Sequence, residues 1–390
     1  MNMLMVGTRY LPYRHEGDKN FWIPIVESLK RDGASISIIS LNRDYYGAYF
    51  QGPYVYVENV TPFLFPSLRS KFSNASLRLS NSYVSRTSSF LKIEGEIARL
   101  LDREQVQLLH LMDNYGPVMI RLRKKAKIPL TVFAPTYHRR HLMYDYLLRL
   151  SLTPFDKIIT TTHAFKRKLV DLGLPRERIV VIRWGVDTQV LKPDPKTRAQ
   201  AKQELGLGAD SKLILWSGFL QQSGMKELQY SLGLAGAAIE QFRNCNFVFA
   251  LKHVHFKPEY RGYERDGLRV VSTTSNADFL RLVNASDALL SPILADSSTA
   301  APPLTWIESM AHGVPIITTN VGGVDELVLD GRTGYTFKTV QEALQRIRAV
   351  LENESDHRKI SQESRRIVCA DYDIRTIADT YKNLWKRMCE

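Results

Sequence analysis

The feature that most restricts the fold is an alternation of short apolar runs with amphipathic stretches, repeated along most of the chain. Residues 3–6 form an unbroken apolar run, 21–30 carry apolar side chains at helical spacing, and Ile36, Ile38 and Ile39 begin the next run. Short continuous runs suit strands buried on both faces, and the 3.6-residue period suits the helices that cover them. Strand, helix, strand is how a parallel sheet opens, because parallel neighbours need a crossover and a helix supplies it. The pattern continues with strands at 106–111, 130–133, 157–161 and 179–182. Helices fall around 118–125, from about 140, and at 164–172, with Gly173 as the stop of the last. Pro193 and Pro195 mark 192–197 as a linker into a helix over 198–205. A second cycle then runs through strands at 213–217, 246–250, 268–271, 288–291 and 315–318, with helices around 226–239, 277–285 and 304–312. The fold class is therefore α/β, with two doubly wound sheets in tandem. The expected domains are 1–187 and 188–372, with a terminal helix over 373–390. No repeat of 20 to 50 residues is present, which excludes a solenoid. Ligands of such sheets bind beyond the carboxyl ends of the strands, so the expected site is a cleft faced by both domains.

Composition narrows the class of function. No apolar run approaches the roughly 20 residues of a membrane span, and 3–6 is too short for the apolar core of a signal peptide, so a cytoplasmic protein is expected. Three cysteines without CxxC spacing argue against a disulfide framework or a structural zinc site. Residues 1–187 hold 28 Lys and Arg against 16 Asp and Glu, whereas 188–390 hold 25 against 24. The excess positive charge thus belongs to the first half. Within it, 59–93 contains Arg69, Lys71, Arg78, Arg86 and Lys92 without an acidic residue, interleaved with Phe63, Phe65 and Phe72. A second group comprises Arg121, Arg123, Lys124, Lys125 and Lys127, with Arg139 and Arg140 farther on. Two readings stand: cations favoured at helix carboxyl ends, or attraction to an acidic acceptor or to the anionic inner face of a cell membrane. Nucleic acid is not expected as a partner, since no recognition motif accompanies the charge.

The segment 302–337 reads PPLTWIESMAHGVPIITTNVGGVDELVLDGRTGYTF. Leu304, Ile307, Met310 and Ala311 make one inward helical face, and Glu308 lies in the first turns of that helix. Gly313 ends it, a strand comes next, and Gly322-Gly323 turns the chain into a second helix start at 324–326. Two helix amino ends on one sheet edge would suit a diphosphate. Spacing alone equally allows Glu308 to serve only its helix dipole and the glycines only the turns.

This segment resembles the signature of the large GT-B family of retaining glycosyltransferases, the family 4 or group 1 type that includes bacterial cell-envelope and glycolipid mannosyl- and glucosyltransferases. The pattern (S/A)MAxGxPxI…NxGGxxE…DGxTG is met from Ser309 to Gly334. Residues 156–187, ending in Gly185-Val186-Asp187, are similar to the family's last N-domain unit, 1–40 to its first, and 268–293 to the unit before the signature. The resemblance implies two Rossmann-like domains facing a cleft, a nucleoside diphosphate sugar as donor, and a glycan, glycolipid or small molecule as acceptor. It implies that Glu308 holds the nucleotide ribose, that Leu304 and Thr305 hold the donor phosphates, and that Gly17 lies against the sugar phosphate. Neither metal nor cofactor is implied. The triplet Asp371-Tyr372-Asp373 precedes the terminal helix instead of following a buried strand, which argues against the metal-dependent GT-A fold.

The chain departs from the family in three places. The first Glu of the family's E-x7-E motif, which contacts the transferred sugar, aligns with Ala300; Asp296 is the candidate replacement. The family's Arg and Lys of the glycine loop align with Phe219 and Ser223 in 213–224, LILWSGFLQQSG. There Gly218 and Lys226 are the donor-side residues retained, and Lys252 after the next strand is a second candidate cation. The family's strand-end His aligns with Pro135, and His138 is the candidate substitute. The activity expected from the resemblance is retaining, metal-independent hexosyl transfer, in which the departing phosphate oxygen takes the acceptor's proton. The alternatives are a non-catalytic sugar-nucleotide-binding or scaffold protein partnering a true transferase, and a nucleotide-sugar epimerase of the same fold.

Overall fold

A computed structural model describes residues 1–6, 21–40, 54–56, 94–95, 97–103, 105–112, 119–135, 142–218, 224–252, 258–273, 275–294 and 302–390. The described chain divides into two compact units, one running to Arg183 and taking back Ile377–Glu390, the other holding Trp184–Thr376.

The first unit is built on a seven-stranded sheet in the order β3-β2-β1-β4-β5-β6-β7. Its strands are β1 (Asn2–Val6), β2 (Ser35–Ser40), β3 (Tyr54–Tyr56), β4 (Leu108–Leu111), β5 (Leu130–Phe133), β6 (Lys157–Thr160) and β7 (Ile179–Val181). All pairings are parallel. β4 and β5 are buried at every position, as expected of strands covered on both faces. Its helices are α1 (Trp22–Arg31), α2 (Met119–Lys125), α3 (Leu142–Leu152) and α4 (His163–Asp171). In α1 the buried residues are Trp22, Ile25, Val26 and Leu29, the one-face pattern read from the sequence. Thr162 caps α4 by accepting from the Phe165 amide at 3.1 Å.

The second unit carries a six-stranded parallel sheet in the order β10-β9-β8-β11-β12-β13. It comes after α5 (Pro195–Glu204) and consists of β8 (Lys212–Gly218), α6 (Gly224–Gln241), β9 (Cys245–Lys252), β10 (Leu268–Thr273), α7 (Asn276–Ala285), β11 (Ala288–Leu290), α8 (Leu304–Ala311), β12 (Ile316–Thr319), β13 (Gly334–Phe337), α9 (Val340–Glu352) and α10 (Glu354–Asp371). The last helix, α11 (Ile374–Cys389), begins in this unit and contributes its remainder to the first. α5 starts three residues earlier than the sequence suggests. Proline is tolerated at the first helical position, and Asp194 caps the helix by accepting from the Lys196 amide at 3.0 Å.

Both sheets reverse their winding direction once, between β1 and β4 and between β8 and β11. At such a switch point the loops leaving two adjacent strands diverge and open a crevice. In the second unit these are the exits from β8, at Gly218, and from β11, which leads to α8.

The basic cluster at 121–127 takes a definite place. Arg123 forks onto both carboxylate oxygens of Asp156 at 3.0 and 3.1 Å, and Arg121 and Lys125 pair with Glu94 at 3.5 and 3.0 Å. Arg123, Lys124 and Lys125 occupy the last turn of α2, Lys30 and Arg31 that of α1, Arg149 that of α3, Lys168 that of α4, and Lys386 and Arg387 that of α11. Helix carboxyl ends attract cations, and in a parallel α/β sheet they lie at the edge opposite the ligand crevice. For these residues the helix-end reading accounts for the charge.

Candidate functional site

The site grows from α8, whose sequence LTWIESMA buries Trp306 through Ala311 on every side. A short helix without a polar face belongs inside the domain. Trp306 sets its roll, donating from its indole nitrogen to Ser291 Oγ at 2.8 Å, just beyond β11. Ser291 is itself pinned, since its carbonyl accepts from Thr318 Oγ1 of β12 at 2.8 Å. The next residue pair is stitched as well. Thr319 Oγ1 accepts from the Ile293 amide at 2.9 Å and donates to the Ile293 carbonyl at 2.6 Å.

At its amino end α8 is left open. Pro303 occupies the cap position, makes no side-chain cap bond and has no N–H, and neither has Pro302. The Trp306 amide bonds to the Pro303 carbonyl at 3.0 Å. Among the described residues, the amides of Leu304 and Thr305 have no partner, and both residues are partly exposed. Two N–H groups and the Thr305 hydroxyl therefore stand at the positive end of a helix beside the switch-point crevice. One turn along, Glu308 is only 5% exposed. At the carboxyl end Gly313 adopts φ +72°, its amide bonds to Met310 and that of Val314 to Ser309, which closes the helix with the left-handed glycine expected there. His312 donates from Nδ1 to the Glu308 carbonyl at 2.9 Å; burial is the main influence on its pKa, which lies below the ordinary histidine value.

The rest of the motif has steric causes. A Cβ at Gly334 would lie 2.7 Å from the Ile316 carbonyl oxygen and 2.8 Å from Val328 Cγ1, so β13 can approach β12 only with glycine there. Gly323 has φ +88°. It leads into a single 3-10 turn, Val324–Glu326, and not the second helix start read from the sequence. Three residues offer no aligned dipole of useful size, so of the two helix starts read from the sequence α8 is the one that is a full helix.

The other expected donor residues fare differently. Gly218 ends β8, where a Cβ would meet Trp216 Cη2 at 2.5 Å, so packing under that indole already demands glycine. Lys226 is exposed on the first turn of α6, and Lys252 is the last residue of β9. Asp296, His138 and Gly17, and on the acceptor side Arg69, Lys71, Arg139 and Arg140, lie outside the described residues.

Asp373 of the Asp371-Tyr372-Asp373 triplet is a structural clamp. It accepts from the Arg375 amide at 3.0 Å, from the Arg375 guanidinium at 2.7 and 2.6 Å, and from the Thr188 hydroxyl. Burial opposes its charge, but these bonds outweigh it and hold the carboxyl at about 2. Its partner Thr188 and the nearby Arg365 carry no signal in the sequence, because both act through backbone carbonyls or a distant acid and belong to no motif.

Two family models match the chain, Glycosyltransferase Family 4 over residues 25–190 and Glycosyl transferases group 1 over 262–367. The chain is a divergent GT-B glycosyltransferase. This transferase is 22% identical over 324 residues to spore coat protein SA of Bacillus subtilis, covering 76% of its own length and 82% of that protein. It is 29% identical over 189 residues to a D-inositol 3-phosphate glycosyltransferase of Acidothermus cellulolyticus, covering 46% and 41%. Its fold matches that of Anabaena Alr3699/HepE, solved in complex with UDP and glucose, with a TM-score of 0.73 at 15% identity over 99% and 100% of the two chains. The matched group 1 segment contains α8, Gly313, Gly323 and Gly334.

Proposed function

We propose that this GT-B glycosyltransferase moves a hexosyl group from a nucleoside diphosphate sugar to a saccharide, lipid-linked or small-molecule acceptor, with retention of configuration and without a metal or cofactor. The observation that carries the reading is the amino end of α8, where Pro303 makes no side-chain cap bond and the Leu304 and Thr305 amides have no partner among the described residues, one turn before the buried Glu308. Orphan amides at a helix start are satisfied well by phosphate oxygens, and the helix dipole favours their charge. Glu308 accepts from the ribose hydroxyls, as a carboxylate takes two donors at once. The leaving group is a nucleoside diphosphate, so the main catalytic requirement is fixed dipoles aimed at its developing charge. Within this reading Gly17 lies at the sugar phosphate, Asp296 and His138 contact the transferring sugar, and Lys226 or Lys252 supplies the cation lost at Phe219 and Ser223.

The test is release of nucleoside diphosphate from a panel of UDP, GDP and ADP sugars by wild type and Glu308→Ala. Wild-type turnover with one donor, reduced by about 100-fold or more in the variant, is expected. Binding without any turnover would favour the non-catalytic scaffold, and no binding at all would end the reading.

A membrane-proximal acceptor at the inner face of the cell membrane fits the sequence of 59–93 and the pair Arg139 and Arg140. Leu142 is 85% exposed and Tyr146 64% exposed on the first turns of α3, directly after those arginines in the chain. Exposed apolar residues beside cations suit an anionic bilayer. Arg69→Glu combined with Lys71→Glu should lower sedimentation with phosphatidylserine vesicles at low salt and leave nucleotide binding unchanged. Equal sedimentation of variant and wild type would remove the membrane from the proposal.

A further inference from the structure

The described chain passes between its units after Arg183 and again after Thr376. Both passages are fastened to each other inside the second unit. The Val186 amide donates to the Tyr372 carbonyl at 2.9 Å, and the Ile374 amide donates to the Val186 carbonyl at 2.9 Å. Asp187 folds the first passage into a tight turn, its Oδ1 accepting from the amides of Gln189 and Val190 at 2.9 and 3.3 Å. Asp373, clamped by Arg375, takes the Thr188 hydroxyl and locks the two passages side by side.

One side chain joins this strap to the donor helix. Arg365 of α10 donates from Nη1 to the Leu191 carbonyl at 3.0 Å and to the Ala311 carbonyl, and from Nη2 to the Thr188 carbonyl at 3.4 Å. Ala311 is the last residue of α8, and its carbonyl is not used by the bonds that close the helix there. A planar guanidinium can reach three carbonyls on two segments, which an ammonium cannot do in one geometry.

We infer that Arg365 is a positioning residue for the donor helix, holding the carboxyl end of α8 to the fastened strap of 186–191 and 372–374. The inference rests on the donor reading of α8 proposed above. α8 is eight residues long, or about 12 Å at 1.5 Å per residue. A tilt of about 5° at the held end moves the amino end by about 1 Å, and a misplacement of that size can cost about 100-fold in rate. The open amides and Glu308 ride on the same helix and move together, so a tilted helix still binds the nucleotide. It loses instead the alignment of the sugar against groups anchored elsewhere, and the loss therefore falls on kcat.

The experiment compares the full chain with Arg365→Ala and Arg365→Lys. It measures Kd for UDP, GDP and ADP, kcat with the donor that turns over, and amide hydrogen exchange of the ligand-free protein at 185–191 and 309–314. Both variants should keep Kd within about 3-fold, lose about 10- to 100-fold in kcat, and show faster exchange in both segments together. Full recovery by Arg365→Lys would reduce the residue to a cation on a helix end and overturn the inference. So would a loss confined to Kd, or exchange altered in α10 alone. Should Arg365→Ala fail to fold, the lysine variant carries the same comparison. Should wild type bind none of the three nucleotides, the transferase reading fails, and the exchange data alone decide whether the tie exists.

Discussion

His110 shows how one buried side chain makes stability depend on pH. It sits in β4 at 0% exposure, its Nδ1 2.8 Å from Thr131 Oγ1, with Trp22 and Trp385 rings at 4.9 and 5.0 Å. Burial disfavours the charged ring and pulls its pKa from 6.5 down to about 3. Above pH 6.5 the folded and unfolded chains are both neutral at this residue, and its full contribution to stability is present. As pH falls from 6.5 towards 3, the unfolded chain takes up a proton that the folded chain refuses, and stability drops by about 1.4 kcal/mol per pH unit. His312 and His357 are lowered by burial too and act in the same direction. Urea unfolding of the wild type should therefore lose stability more steeply between about pH 6 and 4 than His110→Phe, whatever the variant's absolute stability. Coincident slopes would mean that the folded protein takes up the proton at His110 as readily as the unfolded chain does.

Elements are legible in the sequence to the extent that their cause is local. β4 and β5 are parallel strands buried at every position, so LLHL and LTVF read as apolar runs even with His110 and Thr131 inside them. α1 declares itself through Trp22, Ile25, Val26 and Leu29, and α8 through Leu304, Ile307, Met310 and Ala311. The start of α5 is hidden because Pro195 looks like a breaker until Asp194 is seen to cap it. The turn at 324–326 resembles a helix start because glycines before an acidic pair look alike in both settings. Of the site, Glu308, Leu304 and Thr305 are visible through spacing and resemblance. Arg365, Thr188 and Asp373 are not, because their partners are carbonyls or side chains as far as 185 residues away and leave no periodicity. Charge is legible in amount but not in place. The cations of α2 pair with Glu94 and Asp156 and complement a helix end, an arrangement that composition cannot distinguish from an open patch.

At the scale of the molecule, the first unit takes in a segment that comes after the second. From Ile377 onward α11 belongs to that unit, with Tyr381 and Trp385 at 0% exposure and Lys382 bonded to Asp32 at 2.6 Å. Tyr381 meets Trp22 edge-on at 5.3 Å and Phe21 at 6.1 Å. The core that begins with the first helix therefore closes only after Trp184–Thr376 has been made, and the second unit can fold before it. A protein with two such cores is not expected to unfold in one cooperative step. Truncating a buried Trp to Ala costs about 3–5 kcal/mol, so Trp385→Ala should lower the calorimetric transition of the first unit. The open amides of α8 and Glu308 lie wholly within Trp184–Thr376, and a nucleoside diphosphate at 100 times its Kd adds about 2.7 kcal/mol to whatever unit holds it. Ligand should thus raise the transition that Trp385→Ala leaves in place, and the variant should widen the gap between the two. A single peak shifted by both would mean that the units unfold as one, and that the long return of α11 binds their stabilities together.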